Sequence, residues 1–244
     1  MKTRFYITIL GLLFVVGCSK SPQELFEMSN EKLKANETDL AIGDLQKLVS
    51  KFPEDSLASQ AQYKLATIYL NWKNDLNAGY SALQTTVSQY GSSVQGIQAQ
   101  KEIDEFPKYI LNKAESLRKR KMVKESVEHL MYMTEKYSQH ELTPKAQYML
   151  GDLYMNDFRD FTTAIQEYRK VIENYAGSFQ EAHALFMIGY IYANVVNDPK
   201  SAEIEYNTFL EKFPTHELAP SVKFEIEFLG KGINEIPALK HITS

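Results

Sequence analysis

The chain has 244 residues, with 31 acidic and 27 basic side chains, one cysteine and a formal net charge of −4. This acidic balance does not favour nucleic acid as a partner, and a single cysteine excludes an intramolecular disulfide. Tyrosine (15) and phenylalanine (13) outnumber glycine (11) and proline (8), which favours helices packed through aromatic side chains.

The N-terminal residues have the pattern of a secretory signal peptide. Two cations in "MKTR" precede the uncharged run "FYITILGLLFVV", and Gly17 and Cys18 follow it. This run makes about 18 Å of helix, whereas the hydrocarbon core of a bilayer is about 30 Å thick. We therefore expect residues 1–17 to be a signal peptide and not a membrane-spanning helix.

The segment "VVGC" resembles the lipobox of bacterial lipoproteins. The resemblance implies cleavage before Cys18, covalent lipid with palmitate-type acyl chains on Cys18, and no other cofactor. Because Ser19 and not aspartate follows the cysteine, it also implies an outer-membrane protein that faces the periplasm. The alternative is an ordinary signal peptide in which Cys18 is incidental or buried.

The first helix is predicted to begin directly after a short tether at 18–21. Ser21, Pro22 and Glu24 have the pattern of a capping box with proline at the first helical position. The lipidated cysteine would then lie only three residues from the folded part of the chain.

A repeat runs through the rest of the chain. One phrase recurs as "SKFPED", "SQYGSS", "EKYSQH", "ENYAGS" and "EKFPTH", and its aromatic residues are spaced by 38, 47, 38 and 38 residues. These aromatic residues are Phe52, Tyr90, Tyr137, Tyr175 and Phe213. The spacing predicts five repeats with a nine-residue insertion in the third, at 22–54, 55–92, 93–139, 140–177 and 178–215.

Each repeat is predicted to hold two helices. In "DFTTAIQEYRKVIENY" the apolar residues recur every three or four positions, as on one face of a helix. The segments "SQAQYKLATIYLNW", "PKAQYMLGDLYMN" and "QEAHALFMIGYIYAN" align without gaps and place a small residue at Ala66, Gly151 and Gly189. A small side chain there would let the partner helix approach closely.

These helix pairs resemble the tetratricopeptide repeat over about residues 22–229. The resemblance implies an all-α, right-handed superhelical solenoid of about five helix pairs, closed by a capping helix from Pro220 and followed by a tail at 230–244. The period of about 38 exceeds the usual 34 of the family, which implies longer turns.

The third repeat, 93–139, is irregular. Pro107 is expected to kink or break its first helix, and a basic cluster follows where its two helices turn. The cluster comprises Arg118, Lys119, Arg120, Lys121 and Lys124. It is either a solvated turn whose cations favour a helix C-terminus or a contact with a partner or a lipid headgroup.

No fragment of the sequence predicts catalysis or a metal site. "HELTP" and "HELAP" contain His140 and His216, but each lacks the second histidine of a zinc-protease motif. They occupy equivalent turns, where Thr143 is expected to cap a helix that opens with Pro144. His129 is expected to be packed or exposed on a helix, so we predict a protein that is not an enzyme.

The repeat resemblance also implies that the first helices line a concave surface. The residues predicted to contact partners there are Tyr63, Thr67, Tyr148, Asp152, Phe186 and Tyr190. Aromatic side chains provide large contact areas at low entropic cost, which suits recognition of a protein or peptide. The alternative is that some of them are ordinary core residues.

A lipidated array of this length resembles the BamD family of outer-membrane assembly lipoproteins. That resemblance implies a non-enzymatic scaffold whose partners are envelope proteins, including a component of β-barrel assembly. The alternative is a periplasmic adaptor of the Tol-Pal or cell-division type.

Overall fold

The computed structural model describes residues 20–231, and every regular element within that range is helical. The helices are α1 (Pro22–Lys34), α2 (Thr38–Lys51), α3 (Ser56–Ile68), α4 (Leu76–Tyr90), α5 (Val94–Asp104), α6 (Phe106–Lys119), α7 (Val123–Lys136), α8 (Thr143–Leu153), α9 (Phe161–Asn174), α10 (Phe179–Ile191), α11 (Pro199–Lys212) and α12 (Ala219–Glu227). The expected all-α repeat fold is confirmed. None of these helices combines the length and the apolar composition needed to cross a membrane.

The helices form five antiparallel pairs, each of which packs on the next within its unit. The pairs are α1–α2, α3–α4, α6–α7, α8–α9 and α10–α11, numbered pair 1 to pair 5. The contacts divide the chain after Gln100 into unit 1, which holds pairs 1 and 2, and unit 2, which holds pairs 3 to 5 and α12.

The turn inside each pair contains one residue with positive φ. These residues are Asn36, Asn74, Lys121, Arg159 and Asn197. Their spacing of 38, 47, 38 and 38 residues equals the spacing of the repeat aromatics. The backbone therefore repeats with the period that the sequence predicts.

Pairs 2, 4 and 5 owe their long period to a π-helical turn at the end of the first helix. These turns are Tyr69–Lys73, Tyr154–Phe158 and Tyr192–Val196. Each ends where a backbone N–H, such as that of Asp160, donates to the carbonyl of the leading tyrosine at 2.9 Å. The aspartate then caps the second helix, as Asp160 does through Thr163 N at 3.1 Å. The longer turns implied by the sequence are thus π-helical turns.

The irregular third repeat contains an additional helix, α5. Asp104 ends α5 and Phe106 begins α6 with Pro107 in its first turn, so the proline separates two helices, as expected. The start of α5 lies close against the end of α4 in unit 1. Glycine allows this approach, since a Cβ on Gly96 would lie 2.1 Å from the Tyr90 carbonyl oxygen.

The small residues of the first helices lie against aromatic side chains of their partner helices. A Cβ on Gly151 would lie 2.5 Å from the ring of Tyr168 on α9, and one on Gly189 would lie 2.5 Å from the ring of Tyr206 on α11. Both rings are fully buried. The predicted reason for these glycines, close approach of the partner helix, is confirmed.

Helix α12 covers the end of unit 2. Its Ala219 and Val222 are buried in one cluster with Ala202, Tyr206 and Phe209 of α11. This contact removes apolar surface of pair 5 from water, as a terminal helix of a repeat array must.

Two predictions about helix N-termini have different outcomes. The capping box is confirmed, because Ser21 N–H donates to Glu24 Oε2 at 2.7 Å and Glu24 N–H donates to Ser21 Oγ at 3.3 Å. The prediction that Thr143 is an N-cap is wrong: Thr143 is already helical and its hydroxyl donates to the Tyr137 carbonyl. The predicted signal peptide, Cys18 and the tail from 232 lie outside the described residues.

Candidate functional site

A groove in unit 2 runs across the first helices of pairs 3, 4 and 5. It encloses about 430 Å³. Its lining consists of Glu115, Arg118 and Lys119 from α6, Lys145, Tyr148, Met149 and Asp152 from α8, and Phe179, Gln180 and His183 from α10. This α6–α8–α10 groove brings together four residues predicted from the sequence: Arg118, Lys119, Tyr148 and Asp152.

The floor of the groove holds a half-buried carboxylate. Tyr168, fully buried on α9, donates a 2.6 Å hydrogen bond from its hydroxyl to Asp152 Oδ1. Burial raises the pKa of the Asp152 carboxyl above its ordinary value, although this hydrogen bond and the charge of Arg118 act in the opposite direction. Burial also raises the pKa of the Tyr168 hydroxyl, which keeps it a proton donor.

Arg118 is held in the wall of the groove by an ion pair. Its Nε and a terminal nitrogen both lie 2.8 Å from Asp157 Oδ2 in the π-helical turn of pair 4. The guanidinium also donates to the Asp152 backbone oxygen at 3.4 Å and makes no hydrogen bond to its carboxylate. Arg118 therefore joins pair 3 to pair 4.

The rest of the basic cluster is divided between the groove and the turn. Lys119 is exposed and lines the groove, whereas Arg120 and Lys121 lie exposed in the α6–α7 turn outside the lining. Lys121 takes the positive φ of 64° that each of these turns requires. Lys124 is exposed on α7, also outside the lining. The cluster thus supplies one structural ion pair, one groove cation and three solvated cations.

Aromatic side chains form the other walls of the groove. The ring of Tyr148 lies 5.2 Å from that of Tyr168 and 6.3 Å, edge-on, from the imidazole of His183. Phe179 lies 4.9 Å from the same imidazole and is 72% exposed. The exposed ring of Phe179 therefore adds apolar surface to a groove that already contains the ring of Tyr148.

An exposed ion pair crosses the rim of the groove. Lys145 Nζ lies 2.9 Å from Glu115 Oε1, so that α6 and α8 are joined above the floor. Both side chains are more than a third exposed, and such a pair contributes little to stability.

Tyr63 and Thr67 line a second groove, in unit 1. It lies between α1 and α3 and encloses about 560 Å³. Its other lining residues are Asn30, Leu33, Lys34, Lys64, Ile68 and Trp72. The indole of Trp72 is 52% exposed.

Phe186 and Tyr190 are absent from the lining of the α6–α8–α10 groove. Phe186 is half-buried and its ring lies 6.1 Å from that of Tyr206 and 6.4 Å from that of Tyr190. Phe186 packs against the α10–α11–α12 core, in keeping with the alternative that some of these aromatics belong to the core.

The histidines of the two "HEL" fragments each close the turn that precedes a helix. His140 Nδ1 accepts from Leu142 N–H at 3.1 Å, and His216 Nδ1 accepts from Leu218 N–H at 3.2 Å. The two turns are equivalent, as the sequence predicts. Between residues 20 and 231, no group of three or more histidine, aspartate or glutamate side chains is placed to hold a metal ion.

Aligning the repeats of this chain with one another does not identify several lining residues, because the groove crosses the helices obliquely. It passes from the last turns of α6, along α8, to the first turns of α10. Aligning the repeats identifies residues at the same position in each first helix. An oblique groove is instead lined by residues at different positions in successive helices. The missed residues are Glu115, Lys145, Met149, Phe179, Gln180 and His183. Phe179 and His183 carried a usable signal, since they lie four residues apart on one face of α10.

Comparisons with known proteins concern the repeat and the fold. Residues 145–178 match the family model of the tetratricopeptide repeat. A search of curated proteins gave no match to this sequence.

Two solved structures are similar to this chain. One is YrrB, a TPR protein with an unusual peptide-binding site, with 18% identity, 83% of this chain and 92% of that chain covered, and a TM-score of 0.38. The other is a tetratricopeptide repeat protein from Parabacteroides merdae ATCC 43184, with 15% identity, 85% and 72% covered, and a TM-score of 0.37.

The matched residues 145–178 correspond to pair 4, which contributes Tyr148 and Asp152 to the groove. The chain is therefore an all-α helical repeat protein whose residues 145–178 match the tetratricopeptide repeat.

Proposed function

We propose that this protein is a scaffold that binds a protein or peptide partner in the α6–α8–α10 groove. The observation that carries the proposal is the combination, in one groove, of the exposed Phe179, the ring of Tyr148 and the half-buried carboxylate of Asp152. Tyrosine and phenylalanine bury large areas on binding and dominate the energetics of many interfaces.

The proposed role is binding and not catalysis. The two best-placed charged groups of the groove are already engaged, Asp152 by the Tyr168 hydroxyl and Arg118 by the Asp157 carboxylate. These contacts fix the orientation of the side chains, which suits recognition. Preorganised groups of this kind reduce the entropy that binding costs.

Photo-crosslinking in intact cells tests the groove. A photoreactive amino acid in place of Phe179 is expected to capture a discrete partner, which mass spectrometry then identifies. Ile204 on α11 provides a matched control, because it is also apolar, 64% exposed and in unit 2 but does not line the groove. Equal capture at both positions, or none at Phe179, would overturn the proposal.

We further propose that covalent lipid on Cys18 anchors the scaffold to a membrane. The support is the lipobox-like "VVGC" and the capping box at Ser21, which starts α1 three residues after the cysteine. One acyl chain anchors only marginally, so stable attachment needs the several chains of a lipoprotein. A Cys18→Ser protein that still fractionates with membranes, together with wild-type protein that takes up no labelled palmitate, would refute the anchor.

We propose the outer membrane, facing the periplasm, and a role in outer-membrane protein assembly. Depletion of the protein is expected to lower the amount of barrel proteins in the outer membrane. Normal barrels with chained, undivided cells would instead support the adaptor of the Tol-Pal type.

A further inference from the structure

The Asp152 carboxylate is the one acidic group of the groove floor, and its charge is not neutralised. Within the described residues it accepts one hydrogen bond, from Tyr168, and takes part in no ion pair. The nearest guanidinium, that of Arg118, is bound to Asp157 and reaches only the Asp152 backbone oxygen. A carboxylate has about four lone-pair directions, so the described residues leave most of its accepting capacity unused.

Such a carboxylate destabilises the free protein. Burial removes water from the charge, and this loss outweighs the compensating contacts, since the pKa of Asp152 is raised. A charge kept at such a cost is typical of a binding site whose ligand supplies the counter-charge.

The walls beside Asp152 suit a flat cation. Tyr148, His183 and Phe179 place three rings in succession along the groove, with 6.3 Å and 4.9 Å between neighbouring centroids. Cations bind favourably over the faces of aromatic rings, and arginine does so more often than lysine. A guanidinium is also less strongly hydrated than an ammonium and can bind a carboxylate through two parallel hydrogen bonds.

We propose that the α6–α8–α10 groove receives an arginine side chain of the partner, with Asp152 as its counter-ion and Tyr148 and Phe179 as its walls. This inference rests on the proposed binding function and names the chemistry that the groove recognises. The exposed Lys119 at the rim then contacts an acidic or polar group beside that arginine.

Among the aligned first helices of pairs 2, 4 and 5, only that of pair 4 has an acidic residue at this place, which would set the position of the partner. The residues at the place of Asp152 in pairs 2 and 5 are Thr67 and Tyr190. Neither carries a negative charge at neutral pH, so a partner that slid by one repeat would lose its counter-ion. The arginine of the partner therefore specifies which repeat the partner binds.

Titration with small probes tests the inference on the full chain. N-acetyl-arginine methylamide is expected to shift the NMR signals of Tyr148 and His183 in a saturable manner. The citrulline analogue has the same shape without the charge and is expected to bind about tenfold more weakly or not at all. Equal binding of the two probes would overturn the proposal without the need for any variant.

Two variants locate the effect. Asp152→Asn keeps an acceptor for Tyr168 and removes the charge, so binding of the arginine probe is expected to fall about tenfold. Glu203→Gln removes an exposed carboxylate of α11 that does not line the groove, and is expected to change binding less than about twofold. An arginine probe that binds Asp152→Asn as well as it binds the wild type would contradict the proposal.

The outcomes separate this inference from the binding function itself. If a partner captured at Phe179 binds Asp152→Asn as tightly as wild type, the groove binds partners but does not recognise an arginine side chain through Asp152. If the arginine probe binds while Phe179 captures no partner, the site exists and the scaffold function fails.

Discussion

The hydroxyl of Tyr168 donates a 2.6 Å hydrogen bond to Asp152 Oδ1, and this contact joins the core of unit 2 to the floor of its groove. Tyr168 is fully buried in a cluster with Ala164, Val171 and Ile188 and so cannot move independently of the α9–α10 packing. The orientation of Asp152 is therefore set by the fold. Any change that displaces the Tyr168 ring is expected to alter both stability and binding.

Removal of the Tyr168 hydroxyl tests this coupling. Tyr168→Phe is expected to lower the free energy of unfolding by about 1–3 kcal/mol, because a half-buried carboxylate loses the one hydrogen-bond donor that residues 20–231 provide. Binding of the partner is expected to weaken as well. In the Asp152→Asn background the loss should be smaller, since no charge is left unsatisfied, and denaturant unfolding of the four proteins gives this difference.

Tyr175→Phe is the matched control, because the Tyr175 hydroxyl makes no hydrogen bond among the described residues. It is expected to change the unfolding free energy very little. Equal losses for Tyr168→Phe and Tyr175→Phe would show that the Asp152 contact contributes nothing.

The glycine beneath Tyr168 gives a second prediction. Gly151→Ala places a Cβ 2.5 Å from a buried ring, so the α8–α9 pair must separate or the ring must rotate. We expect a loss of about 1–3 kcal/mol in denaturant unfolding, together with weaker partner binding because Asp152 is displaced. Gly43→Ala is the control for stability, since nothing lies within 4 Å of its Cβ, and there alanine should stabilise α2 by about 0.5–1 kcal/mol.

A control for function comes from pair 5. Gly189→Ala meets the Tyr206 ring at the same 2.5 Å and should cost a similar amount of stability. Because neither residue lines the α6–α8–α10 groove, the folded variant should bind the partner normally. Equal loss of binding in both glycine variants would mean that binding follows stability and not the position of Asp152.

The parts of the fold that repeat could be predicted from sequence. The helix pairs, the glycines at Gly151 and Gly189 and the break at Pro107 follow from periodicity, side-chain size and backbone chemistry, all of which are visible in one chain. The capping box at Ser21 is equally local. The π-helical turns could be predicted only as extra length, because no residue type specifies that backbone path.

The candidate site could be predicted only in part. Tyr148 and Asp152 were found because they occupy aligned repeat positions. His183 and Phe179 were missed because the groove passes obliquely from one first helix to the next, and that offset depends on how the pairs pack. Arg118 was found as part of a basic cluster, but its ion pair with Asp157 spans 39 residues and has no signal in the sequence.

The ion pairs that join neighbouring repeats differ widely in burial, and we expect the more buried pairs to contribute more to stability. Arg169 on α9 binds Glu205 on α11 through two hydrogen bonds, of 3.1 Å and 2.6 Å, and Glu205 is buried. Arg169→Met leaves that carboxylate unpaired and is expected to cost about 1–3 kcal/mol in denaturant unfolding.

The matched control is Lys73→Met, which breaks a 2.8 Å pair with Asp39 whose side chains are both exposed. That change should lie within the error of the measurement, because water and salt screen exposed charges. If the two variants lose equal stability, burial is not what distinguishes these pairs.

The last prediction concerns His129, a buried histidine on α7. Its Nδ1 lies 2.8 Å from the Glu125 carbonyl oxygen, and its Nε2 is buried with no hydrogen-bond partner among the described residues. Burial lowers the pKa of the imidazole, and the charge of Lys113 on α6 acts in the same direction, whereas the Glu125 carbonyl and carboxylate oppose it. The folded protein therefore favours neutral His129.

Acidification is expected to destabilise the protein through this residue. Below the unfolded-state pKa of about 6.5, the unfolded chain binds a proton that folded His129 does not. As the pH decreases, the free energy of unfolding therefore decreases, by at most about 1.4 kcal/mol per pH unit. The decrease ends once the pH is below the pKa of His129 in the folded protein. His129→Leu should remove this part of the slope between pH 7 and pH 5 in denaturant unfolding. An unchanged slope, or an imidazole NMR signal of folded His129 that titrates at or above pH 6.5, would contradict the prediction.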